Sequence, residues 1–295
     1  MATITAPPLS PTAPPAKAAR KRPSLNRAGW LTYVIAFALV GICIGPVLYI
    51  IIGGFRTNAE ITLDPAGWPT TWQFVNYSEV LQSSIFWRQV TNSVICGLFT
   101  TIGVVVLGVA ASFVLARYNF SGRTAMYSLF AAGLMFPMTV AITPLYIMIR
   151  GLGLSDSLAG IILPQIAFAL PVTIIILVPF LRAIPKELEE AAAIDGASRL
   201  GFFFRMVVPL SLPGVVTVGI LAFIASWNSY MLPLFILNNE SMYTLPLGVQ
   251  AFASQYSVDT ARVLAFTSLS MIPALVFFSL FERRIIGGLS GAVKG

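Results

Sequence analysis

VICGLFTTIGVVVLGVAASFVLA, Val94 to Ala116, runs for 23 residues without a charged side chain. At a rise of 1.5 Å per residue, a helix of that length crosses the ~30 Å hydrocarbon core of a bilayer. Five more uncharged stretches of comparable length surround it, near Gly29–Gly53, Thr124–Ile149, Ala159–Leu181, Val208–Ile236 and Val263–Phe281. One such stretch alone reads equally as a buried helix of a soluble protein. Six in one chain read as membrane spans, because apolar side chains all round a helix suit lipid on every face. The fold expected is therefore all-α and integral to the membrane, with six transmembrane helices.

Composition agrees. Of 295 residues, 57% are hydrophobic and 10% charged, and mean hydropathy is +0.85. Soluble domains carry roughly 25% charged residues, so this chain lacks the polar surface to coat a soluble globule of its size. It has no histidine and two cysteines, Cys43 and Cys96, each inside an apolar run. Those counts argue against a disulfide framework, a Cys/His zinc site and a histidine-based triad.

Charge is distributed unevenly along the chain. Residues 1–28 are rich in Pro, Ala, Ser and Thr and carry Lys17, Arg20, Lys21, Arg22 and Arg27. Such a segment buries too little apolar area to order itself and reads as a disordered basic tail. The apolar run after it exceeds the 7–15 residues or so of a signal-peptide core, so it reads as an uncleaved first span. With six spans, the tail shares one side with Arg117, Arg123, Arg182, Lys186, Arg199, Arg205, Arg283, Arg284 and Lys294. The other side holds Arg56, Arg88, Arg150 and Arg262. Fourteen basic residues against four place both termini in the cytoplasm. The same asymmetry accounts for the net charge of +7 without nucleic acid. The domain reading is thus a tail at 1–28, a six-span body at 29–282 and a cytoplasmic tail at 283–295.

Three connections are long. The first external loop, about Phe55 to Asn92, contains Trp68, Trp72, Tyr77 and Trp87, some of which suit interfacial anchoring. The last external loop, about Leu237 to Arg262, contains Asn238, Asn239, Glu240, Tyr243 and Tyr256. The cytoplasmic connection from Ile184 to Gly214 reads IPKELEEAAAIDGASRLGFFFRMVVPLSLPG. Pro185 suits the first turn of a helix, and Glu187, Glu189 and Glu190 favour the positive end of its dipole. Leu188, Ala191, Ala192 and Asp195 fall at i, i+3, i+4 and i+7, a narrow stripe of mostly small groups. Gly196 is placed to stop the helix and Ser198 to cap a second one. Small side chains permit close approach by another protein; an Ala-rich turn lying at the membrane interface fits the local pattern as well.

Glu190-Ala191-Ala192, then Gly196 after three residues, then Met206-Val207-Val208-Pro209 after nine more, resembles the EAA motif of ABC importer permeases. Met206 and Val208 stand where that motif usually has Ile and Leu. The string EEAAAIDGAS is similar to that of the carbohydrate-importer branch. So are Asn92-Ser93 opening span two, Pro137 and Thr143–Tyr146 in span three, Trp227-Asn228 in span five, and the ending GAVKG. The resemblance covers about Trp30 to Gly295 and is nearest to the maltose-type permease.

The resemblance implies a type I importer: a second permease subunit, two cytoplasmic ATPase subunits and an extracytoplasmic sugar-binding protein, with sugar as substrate. ATP and Mg belong to the ATPase subunits. This chain has no G-x-x-x-x-G-K-[ST] phosphate cradle and is expected to be non-catalytic, with no cofactor or metal of its own. The coupling loop, about 184–209, would be carried by Glu190, Ala191, Ala192, Asp195, Gly196 and Pro209. Asn238, Asn239, Glu240, Tyr243 and Tyr256 would belong to a loop docking on the binding protein, and Gly291, Lys294 and Gly295 to a tail contacting the ATPases. Simple solvated or disordered segments are the competing readings of both.

Polar residues within spans are costly and face either a cavity or another helix. Gln165, Ser226, Asn228, Ser229 and Tyr230 are candidates for a pathway wall, with Trp227 and Tyr230 able to stack on a sugar ring. Interhelical hydrogen bonding and interfacial anchoring explain them as well. In the maltose-type pair, moreover, the sugar contacts lie mainly on the other permease. An ion-coupled carrier would place carboxylates inside spans, and these spans contain none. A membrane enzyme would need a nucleophile, base or metal set that is not present.

Overall fold

Lipid offers a backbone no hydrogen-bond partners, so uncharged stretches fold as helices that satisfy themselves. The computed structural model describes residues 29–252 and 258–293, with side chains up to 279. The helices are α1 (Trp30–Gly53), α2 (Asn58–Leu63), α3 (Phe74–Gln82), α4 (Ser84–Arg117), α5 (Arg123–Gly133), α6 (Met138–Gly151) and α7 (Leu158–Arg182). They continue with α8 (Lys186–Ile194), α9 (Arg199–Phe202), α10 (Val208–Leu210), α11 (Leu212–Trp227), α12 (Met231–Ile236) and α13 (Thr260–Val293). A π turn, Phe203–Val207, joins α9 to α10, and 3-10 turns occupy Glu240–Met242 and Pro246–Phe252. Two compact units divide at Pro46–Val47, within α1. The first holds the leading part of α1 among the described residues, and the second holds all the elements after it.

Four helices, α1, α4, α7 and α13, are individually long and apolar enough to cross a membrane, and two bent pairs bring the number to six. The bends correct the sequence reading. The expected third span, Thr124–Ile149, is two helices meeting at 101° across residues 134–137. Pro137 has no N–H to continue the ladder of α5 and instead opens α6 with extended backbone. At 11 and 14 residues, neither piece alone reaches across ~30 Å. The expected fifth span, Val208–Ile236, is broken twice. The run from Arg199 to Leu210 meets α11 at 75° around Ser211, and α11 stops at Trp227 before α12 restarts at Met231.

Two boundaries also move. α4 starts at Ser84, ten residues before Val94, and takes in the end of the expected first external loop. α13 runs on to Val293, through most of the stretch read as a tail. Gly291 lies on its backbone; residues 1–28, Lys294 and Gly295 lie outside the described residues.

α4 is the central rod of the second unit, packed along α7 and α11, while α13 packs on α11 and α3. Glycine allows close approach here: a Cβ at Gly108 of α4 would collide with Thr173 of α7, and one at Gly97 with Phe223 of α11. Thr173 and Thr217 turn their hydroxyls back to carbonyls in their own helices, Ala169 and Pro213, so neither leaves an unsatisfied group in the packed interior.

Candidate functional site

Three places collect the polar side chains singled out from the sequence. The first is the loop α8–α9. Extended backbone at Pro185 starts α8, with Glu187 and Glu189 in its first turn, where they suit the helix dipole. Gly196 stands in left-handed backbone at φ +77°. Its N–H bonds to the Ala193 carbonyl at 3.1 Å and the N–H of Ala197 to the Ala192 carbonyl at 2.9 Å. That pair of bonds is a Schellman close. Ser198 then accepts from the Gly201 N–H at 3.1 Å and opens α9.

One side of α8 is half-buried on its own chain. Leu188 and Ala192 pack on a cluster of Phe113, Leu181, Ile184, Phe202 and Val207. Glu190, Ala191, Asp195 and Gly196 are exposed. The expected stripe Leu188–Ala191–Ala192–Asp195 is therefore divided between an inner and an outer side. Ile194 of α8, Leu200 of α9 and Phe204 of the π turn are apolar and 86%, 70% and 65% exposed. Pro209 lies in α10, behind the π turn.

Arg117, at the end of α4, holds this loop, a role its sequence position did not reveal. Its guanidinium donates to the carbonyls of Ile184 at 2.7 Å and Pro185 at 3.4 Å. Its Nε lies 3.3 Å from a Glu189 carboxylate oxygen, near enough for charge attraction but not aligned as a hydrogen bond. Arg199 stands over the ring of Tyr118 at 5.5 Å, a cation–π contact rather than a purely solvated position.

The second place is a cavity of about 570 Å³ between α4, the α5–α6 bend, α7 and α11. Gln165, Ser226 and Ser229 line it together with Thr100, which the sequence reading missed. The Gln165 side-chain oxygen accepts from Thr100 Oγ1 at 3.0 Å and Ser226 Oγ at 2.6 Å. Its Nε2 is buried and has no partner. Asn228 and Tyr230 are elsewhere: Asn228 lines a separate cavity of about 410 Å³, and the Tyr230 hydroxyl accepts from Gln250 Nε2 at 3.2 Å. Trp227 is buried, stacked on Phe223, and lines the Asn228 cavity rather than the one around Gln165.

The third place is the loop after α12. Asn238, Asn239 and Glu240 are exposed at its tip and Tyr243 is half-buried; Tyr256 lies outside the described residues. The loop is latched by groups from the α6–α7 connection and from α4. Asp156 accepts from the backbone N–H groups of Asn238 and, at 2.9 Å, Asn239, and these donors hold its carboxyl below the usual carboxylate range. Asn92 donates to the carbonyls of Ser241 and Tyr243, each at 3.0 Å. Ser93 accepts from the Leu245 N–H at 2.7 Å. Asn92-Ser93, noted in the sequence where the expected second span opens, was the visible signal for this latch. The first long loop is also internally tied. Arg56 donates to the carbonyls of Glu60, Asp64 and Pro65. The Thr70 side chain and the backbone of Thr57 and Thr70 lower the Glu60 carboxyl to about 2.

Comparison with known proteins places this arrangement. The family model for the binding-protein-dependent transport system inner membrane component matches residues 105–286. The trehalose transport system permease protein SugB of Mycobacterium tuberculosis is 38% identical over 267 residues, 90% of this chain and 95% of that protein. The diacetylchitobiose uptake system permease protein NgcG of Streptomyces coelicolor is 35% identical over 251 residues, 84% of this chain and 83% of that one. Among solved structures, a bacterial ABC transporter involved in import of the acidic polysaccharide alginate superposes with a TM-score of 0.74. The match is 22% identical and covers 89% of this chain and 99% of that one.

Proposed function

The chain belongs to the family of binding-protein-dependent transport system inner membrane components, and from that premise we propose that it is one half of a sugar-importing pathway. The other half would be a second permease subunit. Two cytoplasmic ATPase subunits would bind ATP and Mg and supply the energy, and an extracytoplasmic binding protein would deliver the sugar. The relatives named for trehalose and diacetylchitobiose favour a di- or oligosaccharide. The distribution of Lys and Arg favours both termini, and with them α8 and α9, in the cytoplasm.

The observation that carries the coupling role is the construction of α8–α9. Its inner side is locked to α4 by Arg117. Its outer side presents Glu190, Ala191, Asp195 and Gly196 beside exposed Ile194 and Leu200. A projection anchored on one side and exposing acidic, small and apolar groups on the other is suited to transmit movement from a partner into the spans. Gln165, Ser226 and Ser229 would line the pathway. Asn238, Asn239, Glu240, Tyr243 and Tyr256 would lie on the face that meets the binding protein, and the end of α13 with Lys294 and Gly295 would approach the ATPases.

The test is reconstitution. The purified chain should show no ATP turnover. The complex with its partners should hydrolyse ATP faster with liganded than with empty binding protein, and should import a neutral disaccharide. Robust ATP turnover by the isolated chain, or a complex indifferent to the binding protein, would defeat the reading.

A further inference from the structure

The cavity around Gln165 has the chemistry of a saccharide site. Thr100, Gln165, Ser226 and Ser229 supply neutral polar groups, Phe136 and Phe168 supply aromatic faces, and no lining residue carries a charge. At about 570 Å³ it falls within the range of roughly 300–1,000 Å³ typical of small-molecule pockets. The Gln165 carboxamide is held from α4 and α11 at once, through Thr100 and Ser226. Those bonds occupy one end of the amide and leave the other, itself buried, without a partner. A buried polar group left unpaired is unfavourable and is ordinarily met by a ligand, an ordered water or another side chain. A hydroxyl both donates and accepts, so it serves the free end of the carboxamide in either orientation.

We infer that this subunit itself contacts the sugar: the Gln165 carboxamide bonds a hydroxyl of an uncharged saccharide in the cavity between α4, α7 and α11. The Phe136 and Phe168 faces, 6.4 Å apart and stacked at 26°, offer the adjoining apolar surface. The resemblance drawn from the sequence puts the sugar contacts mainly on the partner permease, so the assignment adds a wall to the pathway. Thr100 and Ser226 are positioning residues in it; they orient the amide. The uncharged lining selects neutral sugars over acidic ones, because an unpaired carboxylate would be desolvated there without compensation.

The inference rests on the sugar-import reading and is tested in the full complex reconstituted in liposomes with its binding protein. The probes are radiolabelled trehalose, maltose, cellobiose and diacetylchitobiose, and the readout is sugar imported per ATP hydrolysed. Gln165→Leu removes the amide at similar volume. Ala225→Phe fills the cavity without touching the Thr100–Gln165–Ser226 bonds. Both should lower the ratio, Gln165→Leu by about two- to tenfold, the worth of one net hydrogen bond. A purely interhelical role for Gln165 would lower import and hydrolysis together and leave the ratio unmoved. An unmoved ratio in both variants overturns the subsite. Should Gln165→Leu fail to assemble, Ala225→Phe decides alone. A wild-type complex that imports none of the four sugars overturns the import reading, whereas failure confined to the ratio overturns only the subsite.

Discussion

Gly196 stands at φ +77° with nothing within 4 Å of where a Cβ would lie, so a substitution there meets a backbone penalty and no clash. For an L residue the left-handed conformation costs roughly 1–2 kcal/mol, more for a β-branched one. That is too little to unfold a six-span bundle but enough to reorient α9 on α8. Gly196→Val should reach the membrane at near wild-type level while transport falls strongly; Gly196→Ala should be milder. Wild-type transport by Gly196→Val would remove α8–α9 from the coupling role. Arg117 gives the complementary experiment on the inner side. Lysine cannot reproduce a planar fork reaching two carbonyls, so Arg117→Lys should loosen α8 nearly as much as Arg117→Ala. The readouts are faster proteolysis within 184–198 and weaker stimulation of ATP hydrolysis by the binding protein. Arg199→Ala should be weaker than either, since an exposed cation–π contact is worth about 0.5–1 kcal/mol.

At the scale of elements, the loop after α12 depends on latches from elsewhere. Removing the Asn92 carboxamide leaves the Ser241 and Tyr243 carbonyls without their donor. A buried acceptor left unpaired costs about 1–3 kcal/mol. Asn92→Ala should therefore speed amide hydrogen exchange across 239–245 while α4 and α7 keep their protection. The carboxylates set the acid limit. Glu60 falls from 4.5 to about 2 in the folded loop, and Asp156 is also lowered. A depressed folded value means stabilisation that is complete above the unfolded pKa and lost as pH falls through the folded one. Exchange protection of 56–70 should hold at pH 5 and decline between 4.5 and about 2, and Glu60→Gln should abolish that dependence. Much of this level was readable beforehand. Gly196 and Ser198 announced the end of α8 and the start of α9, because capping is local chemistry. The bend at Pro137 was not, since hydropathy adds up across a bend as it does along a straight helix. Thr100 was invisible because a threonine in a span ordinarily bonds back to its own helix, and only its placement opposite Gln165 distinguishes it. Arg117 was counted as one charge among fourteen; its grip on the Ile184 carbonyl depends on where α4 and α7 end in space.

Across the whole molecule, α4 runs between the two faces proposed to meet partners. Its 34 residues span about 51 Å at 1.5 Å per residue, with the Asn92-Ser93 latch toward one end, Thr100 at the cavity and Arg117 under α8 at the other. On the proposed six-span topology, the face carrying α8 and α9 and the face carrying the Asn239–Glu240 tip would lie on opposite sides of the bilayer. On the proposed orientation, with Lys and Arg retained on the cytoplasmic side during insertion, Arg117 would point inward. Cysteine labelling tests this directly. Cys96 is buried at 1% exposure and Cys43 is exposed, so a Cys43→Ser background suffices for an impermeant maleimide. Ser198→Cys should label only after the cells are permeabilised, and Glu240→Cys should label in intact cells once the outer barrier is opened. The reverse pattern would invert the molecule in the membrane, and labelling of both from one side would mean that α4 does not cross the bilayer.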